Sequence, residues 1–264
     1  MKFMWCVLVM SAAVGLCGGE VLIDAGNAEA FSAVPALKTD AEGNLIPGAG
    51  KTYITTQKIA VDGKKKYQIS FEYKGGADNS GAAMAAVVAI PYDAKGRRIQ
   101  GGNVDHIVGS ETTLAENVPA GSDELILNAN PAWSAAIKRK AIYAVGFGAR
   151  KDFKDIPNFM VMSIRSQRVD EDGRIIVKLV RKTRSECKAG LGVRLHRYGW
   201  NGVGKVAKSS GDWQKMTFTI EGWSNRAVAD KWWRGTKTAK LAIYGDRRNG
   251  GNVILIRNLK LEEL

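Results

Sequence analysis

A strict alternation of apolar and polar residues is the feature that most constrains the fold of this chain. It is clearest in KYQISFEYKGG, where Tyr67, Ile69 and Phe71 fall on one face and Gln68 and Ser70 on the other. Successive side chains of a β-strand point to opposite faces. The pattern therefore predicts a half-buried strand that ends at a Gly-Gly turn.

Further strand patterns occur towards both ends of the chain. WQKMTFTIEG alternates, MAAVVAIPY is a continuous apolar run, and TAKLAIYGD and NVILIRNLKLEEL are two more apolar strands, with turns rich in Gly, Asn and Asp between them. No stretch sustains the 3.6-residue period of a long helix. We therefore predict an all-β fold, a jelly-roll β-sandwich with a small β subdomain inserted.

The segment GAGKT at residues 48–52 resembles the end of a nucleotide-binding P-loop. That motif needs a first glycine at position 45, where this chain has Leu45. We interpret the segment as a Pro/Gly turn that leads into a strand.

The N-terminus has the pattern of a secretory signal peptide. Lys2 precedes the apolar run FMWCVLVMSAAVGL, and the small residues Cys17, Gly18 and Gly19 follow it. A membrane-spanning helix needs roughly 20 apolar residues, and this run is shorter. We predict cleavage after residues 1–19, no transmembrane segment, and a secreted, periplasmic or cell-surface protein. The mature chain keeps one cysteine, Cys187, so it has no intramolecular disulfide.

The middle of the chain differs from its flanks, with shorter strands and higher charge. Residues 111–199 carry sixteen Lys/Arg against ten Asp/Glu, whereas residues 20–110 are balanced at ten each. We predict that residues 20–110 and 200–264 form the two parts of the sandwich, and that residues 111–199 form the inserted subdomain. Within the insert, Asp172-Gly173 predicts a hairpin turn.

Four segments together resemble a known family, the carbohydrate-binding modules of the galactose-binding-like jelly-roll group. They are KIAVDGKKKYQISFEYKGG, AVVAIPYDAKGRRI, GDWQKMTFTIEG, and TAKLAIYGD with VILIRNLKLEE, and the matching positions are Tyr67, Tyr92, Asp93, Gly96 and Trp213. The resemblance covers about residues 50–110 and 200–264. It implies a secreted β-sandwich that binds glycans and carries Trp213 in its core.

The last strand departs from that family. Many members end with an Asp-Asp pair that helps to hold calcium, and Arg257 and Asn258 stand there in this chain. A guanidinium group cannot coordinate a cation, so we predict no calcium at this position, and no cofactor.

The net charge of +13 favours an anionic partner such as an acidic polysaccharide, although a basic surface can also serve solubility alone. Export argues against an intracellular nucleic-acid partner, and no basic amphipathic helix for membrane binding is visible.

The sequence contains no recognisable set of catalytic residues. His106 and His196 lie ninety residues apart, and neither has zinc-site spacing. Basic residues before Cys187 could lower its pKa, but a thiol nucleophile also needs a histidine base. We predict no enzymatic activity, and a hydrolase with two unidentified carboxylates stays an alternative.

Two clusters are candidates for sugar binding. In DKWWRG, Trp232 and Trp233 should point to opposite sides, which leaves one ring as an exposed platform beside Arg234.

In VRLHRYGW, alternation places Arg194, His196 and Tyr198 on one face, near Trp200. An arginine fork pairs with an anionic sugar while an aromatic ring stacks on it. Alternatively, Tyr198 and Trp200 seal the joint between insert and sandwich.

These features predict a secreted, non-catalytic glycan-binding protein, an accessory to polysaccharide recognition or breakdown that prefers acidic or sulfated sugars. A structural or cell-surface assembly module with a protein partner is the alternative, because exposed aromatics also anchor protein interfaces.

Overall fold

The computed structural model describes residues 19–33, 35–75, 83–137, 143–198, 202–208, 211–247 and 252–264. It confirms the predicted all-β sandwich, since nearly all regular elements are strands in antiparallel sheets. The helical elements are short: a 3-10 turn at Ala28–Ala30, α1 at Gly101–Val104 and α2 at Pro131–Ile137. No described helix has the length and apolarity to cross a membrane.

Two six-stranded sheets are built from the chain's two flanks. The front sheet has the order β16-β7-β20-β4-β3, with β1 paired to β20. Its strands are β1 (Glu20–Asp24), β3 (Lys38–Thr39), β4 (Leu45–Ile46), β7 (Lys66–Gly75), β16 (Gln214–Glu221) and β20 (Ile254–Glu263).

The back sheet has the order β15-β8-β19-β5-β2, with β6 paired to β19. Its strands are β2 (Phe31–Ser32), β5 (Thr52–Thr55), β6 (Ile59–Ala60), β8 (Met84–Tyr92), β15 (Val203–Lys208) and β19 (Thr238–Gly245). A separate pair of two-residue strands, β17 (Trp223–Ser224) and β18 (Trp232–Trp233), runs parallel.

The sandwich core lies between these sheets, as the alternation predicts. Tyr67, Ile69 and Phe71 of β7 are at most 1% exposed and belong to one apolar cluster with inward residues of the back sheet. The continuous apolar run of β8 has a different cause. Val87 faces that core, while Val88 and Ile90 form a second cluster with Ala242. Strand β8 is thus buried on both faces.

A third sheet comes entirely from the middle of the chain, with the order β10-β13-β12-β11-β14-β9. Trp133 of α2 is fully buried in its own apolar cluster and donates from Nε1 to the carbonyl of Ser110 at 2.7 Å. The strands are β9 (Thr112–Thr113), β10 (Glu124–Leu127), β11 (Tyr143–Phe147), β12 (Val161–Val169), β13 (Ile175–Leu179) and β14 (Gly192–Arg197).

Two predicted turns are present. Gly173, at φ 78°, turns the chain between β12 and β13, and the Asp170 amide donates to the carbonyl of Arg174. The GAGKT segment is a turn between β4 and β5, with Gly50 at φ 69° and the Lys51 amide bonded to the carbonyl of Gly48. Both glycines adopt the left-handed conformation that other residues rarely accept.

Candidate functional site

Trp232 and Trp233 are both fully buried, so the prediction of an exposed platform in this pair is wrong. Trp232 packs edge-on against Tyr67, with ring centroids 5.4 Å apart. Trp233 lies under the preceding loop and donates from Nε1 to the carbonyl of Val228 at 2.9 Å. Both rings belong to the apolar cluster of the sandwich core, so opposite orientation does not leave either ring in solvent.

Trp223 is instead an exposed ring of this region, at 45% exposure. It lies on Gly63: a β-carbon built there would be 2.1 Å from both Cε2 and Nε1 of the indole and 2.7 Å from Cδ1. Those three distances place the position above the plane of the five-membered ring. Gly63 therefore supports one face of the indole.

The pairing of β17 with β18 brings together two loops that carry polar residues next to Trp223 along the chain. The Arg234 amide donates to the carbonyl of Ser224 at 2.8 Å, and Arg234 Nη1 donates to Asn225 Oδ1 at 3.3 Å. Arg234 is half-buried, whereas Asn225 and Arg226 are exposed. We call Trp223, Asn225, Arg226 and Arg234 the Trp223 surface. Arg234 is the residue of the predicted set that lies on it.

Arg194 is buried in the protein interior, so the prediction that it faces a sugar is wrong. Its Nε donates to Glu111 Oε1 at 2.8 Å and its Nη1 to Asp155 Oδ2 at 2.8 Å. A third bond reaches the carbonyl of Arg150 at 2.6 Å, and the guanidinium lies 4.7 Å from the ring centroid of Phe153. These partners satisfy the charge internally, as a buried guanidinium requires.

His196 is also fully buried, and the structure brings it beside His106. The two residues form an antiparallel bridge, and their ring centroids are 6.3 Å apart. His196 Nδ1 is 2.9 Å from the carbonyl of Gly102, which joins the third sheet to α1. Burial lowers the pKa of His196 to about 4 and also lowers that of His106. Because the two histidines lie ninety residues apart, the sequence did not indicate that they would be neighbours.

Tyr198 differs from its two predicted companions, since it is 50% exposed. Its hydroxyl contacts the hydroxyl of Ser163 on β12. The strand alternation correctly places Arg194, His196 and Tyr198 on one face, but α1 and the loop around residues 150–155 cover that face, and only its end reaches solvent. Trp200 lies outside the described residues.

Tyr198 lines a groove of about 690 Å³ on the third sheet. We call this the strand-edge groove. Cys187 is half-buried in it, and burial together with Glu186 raises the pKa of the thiol, contrary to the lowering expected from its basic neighbours. The described lining residues are Phe147, Phe159, Met160, Val161, Met162, Ser163, Val180, Arg181, Lys182, Thr183, Arg184, Ser185, Cys187 and Tyr198.

Arg257 occupies the position where the resembled family has a carboxylate. Its Nε donates to Glu72 Oε2 at 2.7 Å and its guanidinium lies 3.9 Å from the ring centroid of Trp213. The hydrogen bond from Arg257 lowers the pKa of Glu72. Trp213 is half-buried on the outer face of the front sheet, so its assignment to the core is wrong. Within the described parts of the chain, no three His, Cys, Asp or Glu residues are grouped to hold a metal ion.

No protein-family model matches the chain. No curated protein matches it. Among solved structures, peanut lectin with a nine-residue peptide is similar over 86% of this chain and 88% of the lectin chain, at 11% identity and a TM-score of 0.27. A TM-score this low does not establish a shared fold.

Proposed function

We propose that this is a secreted, non-catalytic glycan-binding protein whose sugar site is the Trp223 surface. The observation that carries the proposal is the indole of Trp223, which is 45% exposed and supported from one side by Gly63. A rigid aromatic face is suited to pack against the C–H face of a pyranose ring, because both are flat and apolar.

The basic residues around this platform favour an acidic or sulfated sugar. Arg234 donates to the neutral side chain of Asn225, whereas Arg226 already forms an ion pair with Asp105, with its Nε 3.5 Å from Oδ1. A guanidinium pairs with carboxylate or sulfate oxygens through two parallel hydrogen bonds. In an exported protein, such a surface would serve as an accessory to polysaccharide recognition or breakdown.

The test is affinity electrophoresis of the mature chain against neutral, uronic-acid and sulfated polysaccharides, at low and high salt. We expect retardation that persists in high salt and disappears in Trp223→Ala. Tyr198→Ala is the matched control, since it removes a ring of similar exposure from another surface. Loss of retardation in the Tyr198 variant with Trp223→Ala unaffected would contradict the placement of the site. No retardation by any polymer would contradict the function.

Export is a separate part of the proposal and has its own test. It rests on the charged, apolar and small-residue pattern of residues 1–19. Mass spectrometry of the exported protein should show a new N-terminus close to Gly19. An intact N-terminus on the exported chain would contradict cleavage.

A further inference from the structure

The strand-edge groove exposes backbone hydrogen-bonding groups of β12. The Phe147 amide donates to the carbonyl of Met160, so Met160 directs its backbone towards β11. In an antiparallel sheet, successive residues of a strand direct their backbone N–H and C=O groups alternately towards one neighbouring strand and towards the other. Val161 and Ser163 therefore direct their N–H and C=O groups away from β11, towards the groove.

The segment that follows β13 forms one backbone hydrogen bond with this part of β12. The Val180 amide donates to the carbonyl of Ser163 at 2.9 Å, and the chain then leaves the sheet. Thr183 bonds instead to the carbonyls of Ser122 and Pro119. Among the described residues, no backbone bond links Val161 to the segment 181–187. Beyond the end of β13, the edge of β12 therefore has open backbone groups at Val161, where another strand can pair.

The side chains around the open edge are apolar and basic. Met160 is 62% exposed and Val180 is 48% exposed, beside the half-exposed Tyr198. Exposed methionine is typical of adaptable protein-binding surfaces. The described lining includes three cations, Arg181, Lys182 and Arg184, and no Asp or Glu. None of the three cations forms an ion pair with a described carboxylate.

We propose that the strand-edge groove binds an extended acidic segment of another protein, which adds as a β-strand beside Val161. Its backbone pairs with the N–H and C=O of Val161, its apolar side chains contact Met160 and Val180, and its carboxylates pair with the three cations. Strand addition uses main-chain bonds for affinity and side-chain contacts for selectivity. The ligand of this groove is a polypeptide rather than a glycan, and the groove shares no residue with the Trp223 surface.

An acidic peptide fits this groove better than a second copy of the chain or a sugar. The net charge of +13 makes one copy repel another at a basic groove. Sugar sites use flat rings and polar groups, whereas exposed Met160 and Val180 and an open strand edge suit a polypeptide.

The experiment measures fluorescence anisotropy of three labelled probes with the full mature chain. They are a peptide of alternating Val and Glu, its Val-Lys counterpart, and the Val-Glu peptide with methylated backbone nitrogens. We expect the first to bind, the second not to bind, and the third to bind at least about tenfold more weakly, which corresponds to about 1.4 kcal/mol. Failure of the Val-Glu peptide to bind would overturn the proposal, and equal binding of the methylated peptide would overturn strand addition.

Variants locate the binding surface. Arg181→Glu with Arg184→Glu should abolish binding of the Val-Glu peptide. Lys58→Glu with Lys64→Glu changes the charge equally at exposed positions on the sandwich and should leave most of the binding intact. Equal loss in both double variants would show a nonspecific charge effect and overturn the proposal. Thermal unfolding checks that each variant is folded.

Further outcomes separate this proposal from the glycan site. Trp223→Ala should lose glycan retardation and keep peptide binding, and Tyr198→Ala should do the reverse. Displacement of the Val-Glu peptide by an acidic polysaccharide in the Trp223→Ala background would assign the groove to glycans and overturn the proposal. Concentration-dependent dimers in sedimentation that Arg181→Glu with Arg184→Glu disrupts would also overturn it, in favour of a second copy.

Discussion

Gly63 determines the position of the Trp223 indole, because glycine has no side chain to occupy the space next to the ring. Its φ is not in the left-handed region, so the backbone accepts other residues there, but an added β-carbon would meet the indole at 2.1 Å. Contacts this short force the neighbour to move. The flat seating of Trp223 therefore depends on one missing methyl group.

We expect Gly63→Ala to weaken glycan retardation severalfold, because the displaced indole no longer presents the same face. Gly211→Ala is the matched control, since a β-carbon built at Gly211 meets nothing within 4 Å. Affinity electrophoresis gives the binding and thermal unfolding gives the stability of both variants. Unchanged retardation in Gly63→Ala would show that the seating of the ring is not needed.

His196 should make the stability of the protein depend on pH. Burial depresses its folded pKa to about 4 from an unfolded value of 6.5, so the unfolded chain binds the proton first as pH falls. The stabilisation is fully present above pH 6.5 and is lost as pH falls towards 4, by about 3 kcal/mol in total. Urea unfolding across this range measures it, and His106 contributes in the same direction.

The variant His196→Gln serves as the comparison, since glutamine does not titrate. Its free energy of unfolding should change less between pH 7 and about pH 5 than that of the original protein. A parallel pH dependence in both proteins would contradict the assignment to His196.

At the scale of elements, β14 shows why strand alternation does not give exposure. Val193 and Leu195 are buried in the apolar core of the third sheet, and Arg194 and His196 on the opposite face are equally buried. Alternation reports which residues share a face, but a polar face can also be covered by another part of the chain. Here the covering part includes α1, through the bond between His196 and Gly102.

Arg194 is expected to be essential for the stability of this covered face. Arg194→Met leaves Glu111 and Asp155 without their shared cation, and breaking a buried ion pair costs about 3–5 kcal/mol. Arg234→Met, at a half-buried site with one side-chain bond, should change the free energy of unfolding by only about 0.5 kcal/mol. Urea unfolding compares the two.

A triple variant tests the reason for that loss. Arg194→Met with Glu111→Gln and Asp155→Asn removes all three charges and should recover part of the stability. No recovery would show that packing of the arginine side chain, rather than its charge pairing, accounts for the effect.

For the whole molecule, the net positive charge, which is +13 over the full sequence including Lys2 of the signal peptide, should dominate binding at low salt. Electrostatic screening shortens from about 10 Å at 0.1 M salt to about 3 Å at 1 M. We expect every polyanion to retard the protein at low salt, and only glycans that stack on Trp223 to do so at high salt. Equal salt sensitivity of the original protein and Trp223→Ala would indicate that charge alone binds these polymers.

The sequence by itself determined the fold class and the faces of individual strands. The alternation in β7, the continuous apolar run of β8 and the Asp172-Gly173 turn are local signals, because side-chain direction and turn geometry depend on neighbouring residues. All three agree with the structure.

Tertiary structure alone decided which side chains reach solvent. It buried Trp232, Trp233, Arg194 and His196, seated Trp223 on Gly63 and placed Tyr198 in the strand-edge groove. The exposure of a residue depends on which segments from elsewhere in the chain pack over it. The pattern of the residues next to it in sequence does not predict that packing. For the same reason, the His106–His196 pair could be seen only once the chain had folded.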